Sequence, residues 1–416
     1  MTGMRLWLRR SSGLVALPAL IVVALTVVLG RSGWHVEWDW AMGWTSATTI
    51  VLAPMVAGLT AFDVNRRVRP TFLALSATTR RGHRTILTVA LTMWLYGTAA
   101  WGVATGYGAV RTALAGAGGT PSLWIFVEAP TALLTAALFG AMVAVLVPNI
   151  GAGPLAAIAA YMLPIVLMPF NLQGLLAAGG ATASGLGIEP NPPVVIATLT
   201  TNLTLGLLCI GVALVPTLPR DRLRLAGVGA MAAALVVSAV TLASFDPLMN
   251  TYRPRAITTM CVGQAPEVCG PQEGAVHLRI AHRDLARAHA ALETAGLGLD
   301  LRSRYELATS TTRPDPGVGL VYVDATQIAG GAMSVWDIAV AVATPTACDE
   351  YYADLPPEDL LDLQGGLAKA ILPVIRGTGT AGLPAEDIRT TYAALAACDA
   401  SAATQVDFPE PEPAFP

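Results

Sequence analysis

Apolar positions along this 416-residue chain fall into two regimes. Up to about residue 245 they form long runs with few interruptions. Seven runs approach or exceed the roughly 20 residues that a helix needs to cross about 30 Å of hydrocarbon. They lie near Gly13–Gly30, Ala41–Phe62, Ile86–Val110, Ser122–Val147, Ile150–Phe170, Pro193–Pro216 and Leu225–Phe245, and Glu128 is the one charge within these limits. Backbone amides find no water in lipid, so each run is expected to be helical.

Beyond residue 245 the apolar runs shorten. Val276, Leu278 and Ile280 alternate with His277 and Arg279, which predicts a strand over Ala275–Ala281. His282–Gly296 follows as a helix ended by glycine. Val318–Asp324 reads as a second strand, and Ser334–Val342, Pro357–Arg376 and Pro384–Ala400 read as helices. The expected fold is an all-α polytopic membrane bundle of about seven transmembrane helices, followed by a small α+β domain. The expected boundaries are an interfacial helix over 1–12, a six-helix membrane domain over 13–218 and a seventh span over 219–245. The α+β domain takes 246–405, and a Pro- and acid-rich tail over 406–416 is expected to be disordered.

Composition sharpens the division. The chain is 54% hydrophobic and only 13% charged, about half the charge of an ordinary soluble domain. Residues 1–245 hold 14 Arg against 6 acids, whereas 246–416 hold 22 acids against 10 Arg and the single Lys369. The second part is too acidic for a nucleic-acid partner. Arginines also set an orientation. With the N-terminus cytoplasmic, Arg5, Arg9, Arg10, Arg66, Arg67, Arg69, Arg80, Arg81, Arg84, Arg220, Arg222 and Arg224 fall in inner loops, and Arg31 and Arg111 in outer ones. Seven crossings then place the 246–416 domain outside the cytoplasm, with the chain in a bacterial plasma membrane. The run after Arg9–Arg10 reads as a signal anchor rather than a cleaved leader, since further spans follow.

Four of the five cysteines, Cys261, Cys269, Cys348 and Cys398, lie in that last part. An even number in an oxidising compartment predicts two disulfides, with Cys261–Cys269 and Cys348–Cys398 the favoured pairing of three and free buried thiols the alternative. Cys209 lies in the sixth run and is expected to be inert. Trp34, Trp38, Trp40 and Trp44 are expected to form an interfacial aromatic belt. Gly102 and Gly106 form a small-xxx-small pair that permits close helix contact. Glu128 is placed near the outer end of the fourth run, as a hydrated carboxylate or a residue of a substrate path.

Two basic segments remain. Met1–Ser12 mixes Met4, Leu6, Trp7 and Leu8 with Arg5, Arg9 and Arg10, the pattern of a helix lying on a membrane surface. Asp63–Thr85 carries an apolar stretch, Phe72-Leu73-Ala74-Leu75, then Ser76–Thr79, then Arg80, Arg81 and Arg84. This arrangement resembles the permeases of ATP-binding-cassette exporters of the type-2 class. The elbow helix of that class is matched by Met4–Arg10, and its ATPase-coupling loop by Phe72, Leu73, Leu75, Arg80, Arg81 and Arg84. The turn Pro148–Gly151 and the segment Asn171–Pro192, similar to a small re-entrant element, extend the resemblance over about residues 1–218. It implies a separate ATPase subunit and a second permease half, as a homodimer or with a paralogue. A seventh span and an outer domain depart from the usual six-span layout. That layout resembles permease-like bacterial membrane proteins with a cysteine-bearing tail, the similar stretch being Met260–Cys269 and the strand after it.

No enzyme chemistry or cofactor is legible. The Gly-Lys-Ser/Thr of a phosphate loop is missing, since Lys369 follows Ala368. No zinc-type His pair and no Gly-x-Ser-x-Gly elbow occurs. His277, His282 and His289 are expected to be solvated, and the acids Asp349–Asp362 to form a solvated face. The alternative to the permease reading is a membrane-anchored receptor or scaffold whose outer domain binds a ligand or partner.

Overall fold

The computed structural model describes residues 12–67, 82–170, 172, 174–178, 186–214, 222–244, 252–254, 258–308, 317–323, 330–344, 358–379 and 381–397. The apolar part is a helical bundle of α1 (Ser12–Leu29), α2 (Trp38–Ser46), α3 (Thr49–Arg67), α4 (Gly82–Leu114), α5 (Ile125–Leu146), α6 (Ala152–Leu167), α7 (Pro192–Leu214) and α8 (Arg222–Ala243). Six candidate spans are long and apolar enough to cross a membrane, with α2 and α3 counted together over Trp38–Arg66. By length and composition, these helices suggest a membrane protein. The seventh expected run is the helix α8, which packs along α7. Its apolar stretch, Gly227–Ala243, is shorter than the other six.

The second run is divided, where the sequence predicts one helix. Thr45, Thr48 and Thr49 turn their hydroxyls onto the carbonyls of Met42, Thr45 and Ser46. Such local side-chain bonds compete with the helical ladder and bend it. The tryptophans ahead of this bend also depart from expectation. Trp34 and Trp40 are buried, not spread in a belt. Indole N–H groups of Trp34 and Trp44 donate to the carbonyls of Arg31 and Val28, and the Arg31 guanidinium lies over the rings of Trp40 and Trp44.

Packing in the bundle rests on small residues, because helices in an apolar solvent gain little from hiding apolar area and must touch closely. The central pair is α3 and α5. Ala53, Ala57 and Ala61 of α3 and Ala129, Ala132, Ala136 and Ala137 of α5 are all buried. At Gly140 the approach is tightest, since an added Cβ would collide with the backbone of Ala57. Gly58 meets α6 in the same way, with the Gly153 carbonyl 3.1 Å from where its Cβ would be. Gly102 and Gly106, in contrast, face away from the bundle and meet nothing.

The last part is an α+β domain. A four-stranded sheet runs β3 (Thr259–Val262), β4 (Glu267–Pro271), β5 (Arg304–Leu307) and β6 (Gly319–Val321), antiparallel at its first pairing and parallel at the next two. Helices α9 (Ala275–Thr294), α10 (Val335–Ala343), α11 (Glu358–Arg376) and α12 (Ala385–Ala396) complete its core. Two short strands, β1 (Ile188–Pro190) and β2 (Tyr252–Pro254), tie the segment before α7 to the start of this domain. The strand expected over Ala275–Ala281 is instead the first two turns of α9. Leu278, Ala281, Leu285, Ala288 and Leu292 line one buried face at helical spacing, and this longer period overrides a seven-residue alternation. Ser334 caps α10 by accepting from the Asp337 N–H, and Gly296, in left-handed backbone, ends α9 as expected.

Cys261 and Cys269 form a disulfide between directly paired residues of β3 and β4. Closing so short a loop stabilises the domain by about 2.5 kcal/mol on a chain-entropy argument. Cys348, Cys398, the elbow helix, the coupling loop and the C-terminal tail lie outside the described residues, except that Arg84 stands exposed on the first turn of α4. The domain's histidines are not solvated as expected. His277 and His289 are buried and His282 is half-buried, its Nδ1 donating to the Pro266 carbonyl at 2.9 Å. Gly263 makes room for that imidazole, which would collide with any Cβ there.

Two predictions follow from this packing. Gly140→Ala should destabilise the purified protein by about 2 kcal/mol or more, as overpacking against a backbone does. Gly106→Ala, which meets nothing, should leave the unfolding temperature unchanged or raise it. The second concerns His289, which shares a 2.9 Å hydrogen bond with the buried Tyr305 hydroxyl. Burial pushes its pKa from 6.5 down to about 4. The unfolded chain therefore binds this proton first as pH falls. Stability present above pH 6.5 should decline toward pH 4 by roughly 3 kcal/mol. Comparison of unfolding temperatures of wild type and His289→Phe over that range should show a flatter profile for the variant.

Candidate functional site: buried polar groups at the two ends and the junction

The α+β domain sits on one end of the bundle, and the contact is built from both sides. From the bundle comes Glu37, immediately before α2 and held there by the packed tryptophans. From the domain comes His277, in the first turn of α9. His277 Nε2 lies 3.1 Å from Glu37 Oε1, with the two side chains 1% and 3% exposed. Around them Val276 and Ile280 of α9 pack against the bundle core. The α4–α5 loop passes directly beneath the domain. A Cβ at Gly118 would stand 2.7 Å from the Gln272 carbonyl, and one at Gly119 would stand 2.9 Å from the Glu273 side chain. Glycine is required at 118 because backbone meets backbone, and favoured at 119 by a φ of 82°. A shallow acidic cleft opens beside the pair, lined by Glu37, Asp39 and Glu273 with Trp38, Gly119 and Thr120.

A second polar constellation lies inside the bundle at the same end. Residues 174–178 run as irregular backbone between α6 and β1, yet Leu175, Leu176, Ala177 and Ala178 are buried. Side chains from the surrounding helices replace the missing ladder. Thr49 Oγ1 accepts from the Ala178 N–H at 2.8 Å and lies 3.1 Å from the Ala178 carbonyl. Asn202, in α7, accepts from the Leu176 N–H through Oδ1 at 3.0 Å and donates through Nδ2 to the Gly174 carbonyl at 3.0 Å. Thr135 of α5 donates to the Asn202 carbonyl at 2.9 Å. Leu176 has φ of 60°, a left-handed conformation rare for a branched side chain and sustained by these bonds.

The opposite end is tied by α3. Asp63 is buried and accepts from the Ser12 N–H at the start of α1 at 3.2 Å. This pairs a carboxylate with a helix N-terminus, where its charge is favoured. Asn65 donates to the carbonyls of Val147 and Asn149, satisfying the end of α5. The tight turn expected at Pro148–Gly151 is therefore present and clamped to α3.

Among the sequence candidates, Glu128 stands half-buried in the first turn of α5 and belongs to none of these networks in the interactions described. Arg84 is exposed at the end opposite the domain. Among the described residues, one grouping of His, Cys, Asp and Glu is tight enough to hold a metal, Cys261 with Glu267 and Cys269, and its two sulfurs are joined in the disulfide. Sequence reasoning missed Glu37, Asp63, Thr49, Asn202 and His277. Asn202 carried a usable signal, as an amide in the middle of an apolar run. Glu37 and His277 carried none, since they are 240 residues apart and meet only through the docking of the domain.

Glu37 and His277 should be energetically coupled. Removing one partner deprives the other of this buried contact, which costs roughly 1–3 kcal/mol. Glu37→Gln and His277→Phe are each expected to lower the unfolding temperature, and the double variant to fall by much less than the two losses combined. Additive losses would mean that the pair does not interact.

No protein-family model, no curated protein and no solved structure matches this chain.

Proposed function

We propose that this chain is the membrane-spanning, permease-like subunit of an ATP-binding-cassette export system, energised by a separate ATPase. The observation that carries this reading is the buried irregular backbone over 174–178, held by Thr49 and Asn202. This segment lies between two candidate spans, and in a membrane protein buried non-helical backbone is sustained where protein satisfies it or where it borders a passage. Broken backbone of this kind is a recurrent feature of transporters, where unwound carbonyls and helix ends present polar groups to the solute. The type-2 resemblance over residues 1–218 supports the same reading. A second permease half, from another copy or a paralogue, completes the transporter.

The orientation follows the arginines. Arg66 and Arg84 stand at the end away from the domain, which supports a cytoplasmic location for that end and an outside location for the domain. The Cys261–Cys269 disulfide fits an oxidising compartment on the domain side. A receptor or scaffold is the second reading. What favours it is the buried Glu37–His277 seat, which joins the domain to the bundle as one would couple a sensor to a platform.

The experiment is purification of the tagged full chain from its own membranes, followed by measurement of ATP hydrolysis. The permease reading expects a co-purifying ATPase, lost in the Leu73→Glu/Leu75→Glu variant while the unfolding temperature is kept. ATPase retained by that variant would remove the coupling-loop assignment. Its absence from the wild-type preparation would favour the receptor reading.

A further inference from the structure

Threonines in the bundle mostly satisfy their own hydroxyls. Thr26, Thr60, Thr92, Thr131 and Thr201 each donate to the carbonyl four residues back. Helix α4 departs from this habit in the half nearer the outer domain. The hydroxyls of Thr98, Thr105 and Thr112 and the indole N–H of Trp101 are buried without a hydrogen-bond partner. So is the hydroxyl of Ser46 at the end of α2. Trp101, Thr105, Thr112 and Ser46 are all at least nine-tenths buried.

These groups are aligned. Positions 98, 101, 105 and 112 are separated by three, four and seven residues, which places them on one face of a helix. Between Thr98 and Thr112 the row extends for about 21 Å at 1.5 Å per residue. The neighbours are known along its length. Trp101 meets Phe126 of α5 edge-on. Gly108, on the same face, lies against Thr45 of α2 and Trp34, so the row enters the α4–α2 seam beside Ser46. Pro130 has no N–H to give the Phe126 carbonyl, which adds an acceptor at the level of Trp101. The upper end of the row leads into the Gly118–Gly119 loop on which the outer domain rests.

Buried polar groups are ordinarily paired, and in lipid an unpaired one is especially unfavourable. Five such atoms along one seam imply a hydrogen-bonding partner that is not part of this chain. We infer that the α4 row lines a path for a small, uncharged, hydrogen-bonding solute, opening beneath the outer domain when α4 parts from α2 and α5. Hydroxyls offer both a donor and an acceptor, and the indole offers a donor. The row itself carries no charge, so it suits hydroxylated or amide-like molecules and water rather than ions. The inference deepens the permease reading and rests on it for the identity of the process, while its geometry is independent of any ATPase.

The test is alkylation by iodoacetamide, itself small, neutral and hydrogen-bonding. Full-length Thr98→Cys, Thr105→Cys and Thr112→Cys proteins in lipid nanodiscs are compared with Ala100→Cys, which is fully buried on another face of the same helix. Modification at each site is quantified by mass spectrometry. The row cysteines should react at least about tenfold faster, since thiol reactivity follows access to water and ionisation. Rates equal to that of the Ala100 position overturn the path. Should the cysteine variants fail to fold, Thr105→Val decides. An unfolding temperature unchanged or lowered supports a hydrated row, and a raised one identifies a dry seam and overturns it. Fast labelling without a co-purifying ATPase would retain the path and remove only its energy source. Slow labelling with the ATPase present would do the reverse.

Discussion

A polar group inside an apolar bundle is costly to leave unpaired, and this constraint organises the ends and breaks of the bundle helices. Helices meet it through their own ladders. Where a helix stops, side chains must take over. Asp63 does so for the start of α1, Asn65 for the end of α5, and Thr49 with Asn202 for the irregular 174–178 segment. Three of these four residues lie on α3. That helix is also the one pressed against α5 through alanine and glycine, so its position is fixed twice, by close packing and by polar termination.

The domain and the bundle are joined by the same logic. A docked domain held by exposed ion pairs such as Glu189–Arg253 would be weakly fixed, because solvent screens them. The buried meeting of Glu37 and His277 is different, since both groups have left water and lie 3.1 Å apart. Around it, glycines let the α4–α5 loop touch the domain backbone directly. The α4 row, which ends at this contact, connects the junction to the middle of the bundle.

Helix and strand assignments show where local pattern suffices. The long runs became helices because length and apolarity leave no alternative in lipid. Ser334, Gly296 and the Cys261–Cys269 spacing were readable for equally local reasons, a cap, a left-handed stop and a cross-strand bridge. Ala275–Ala281 was misread because alternation over seven residues fits a strand, whereas the deciding period continues to Leu292. The histidines were misread because burial of a polar residue depends on partners far away. His277 needs Glu37, and His289 needs the Tyr305 hydroxyl.

Sequence by itself determined that this chain has an apolar bundle, rich in arginine and poor in acids, and a separate acidic α+β domain, since transfer free energy and charge sorting are properties of composition and spacing. It also favoured Cys261–Cys269 among three possible pairings, and the pairing of β3 with β4 decided it. Only the tertiary structure decided which polar groups face one another. Asn202 meets Leu176, Glu37 meets His277, and the hydroxyls of α4 are left aligned without partners. These pairings join residues from 26 to 240 positions apart, and no local rule reports the fold that brings them within hydrogen-bond distance.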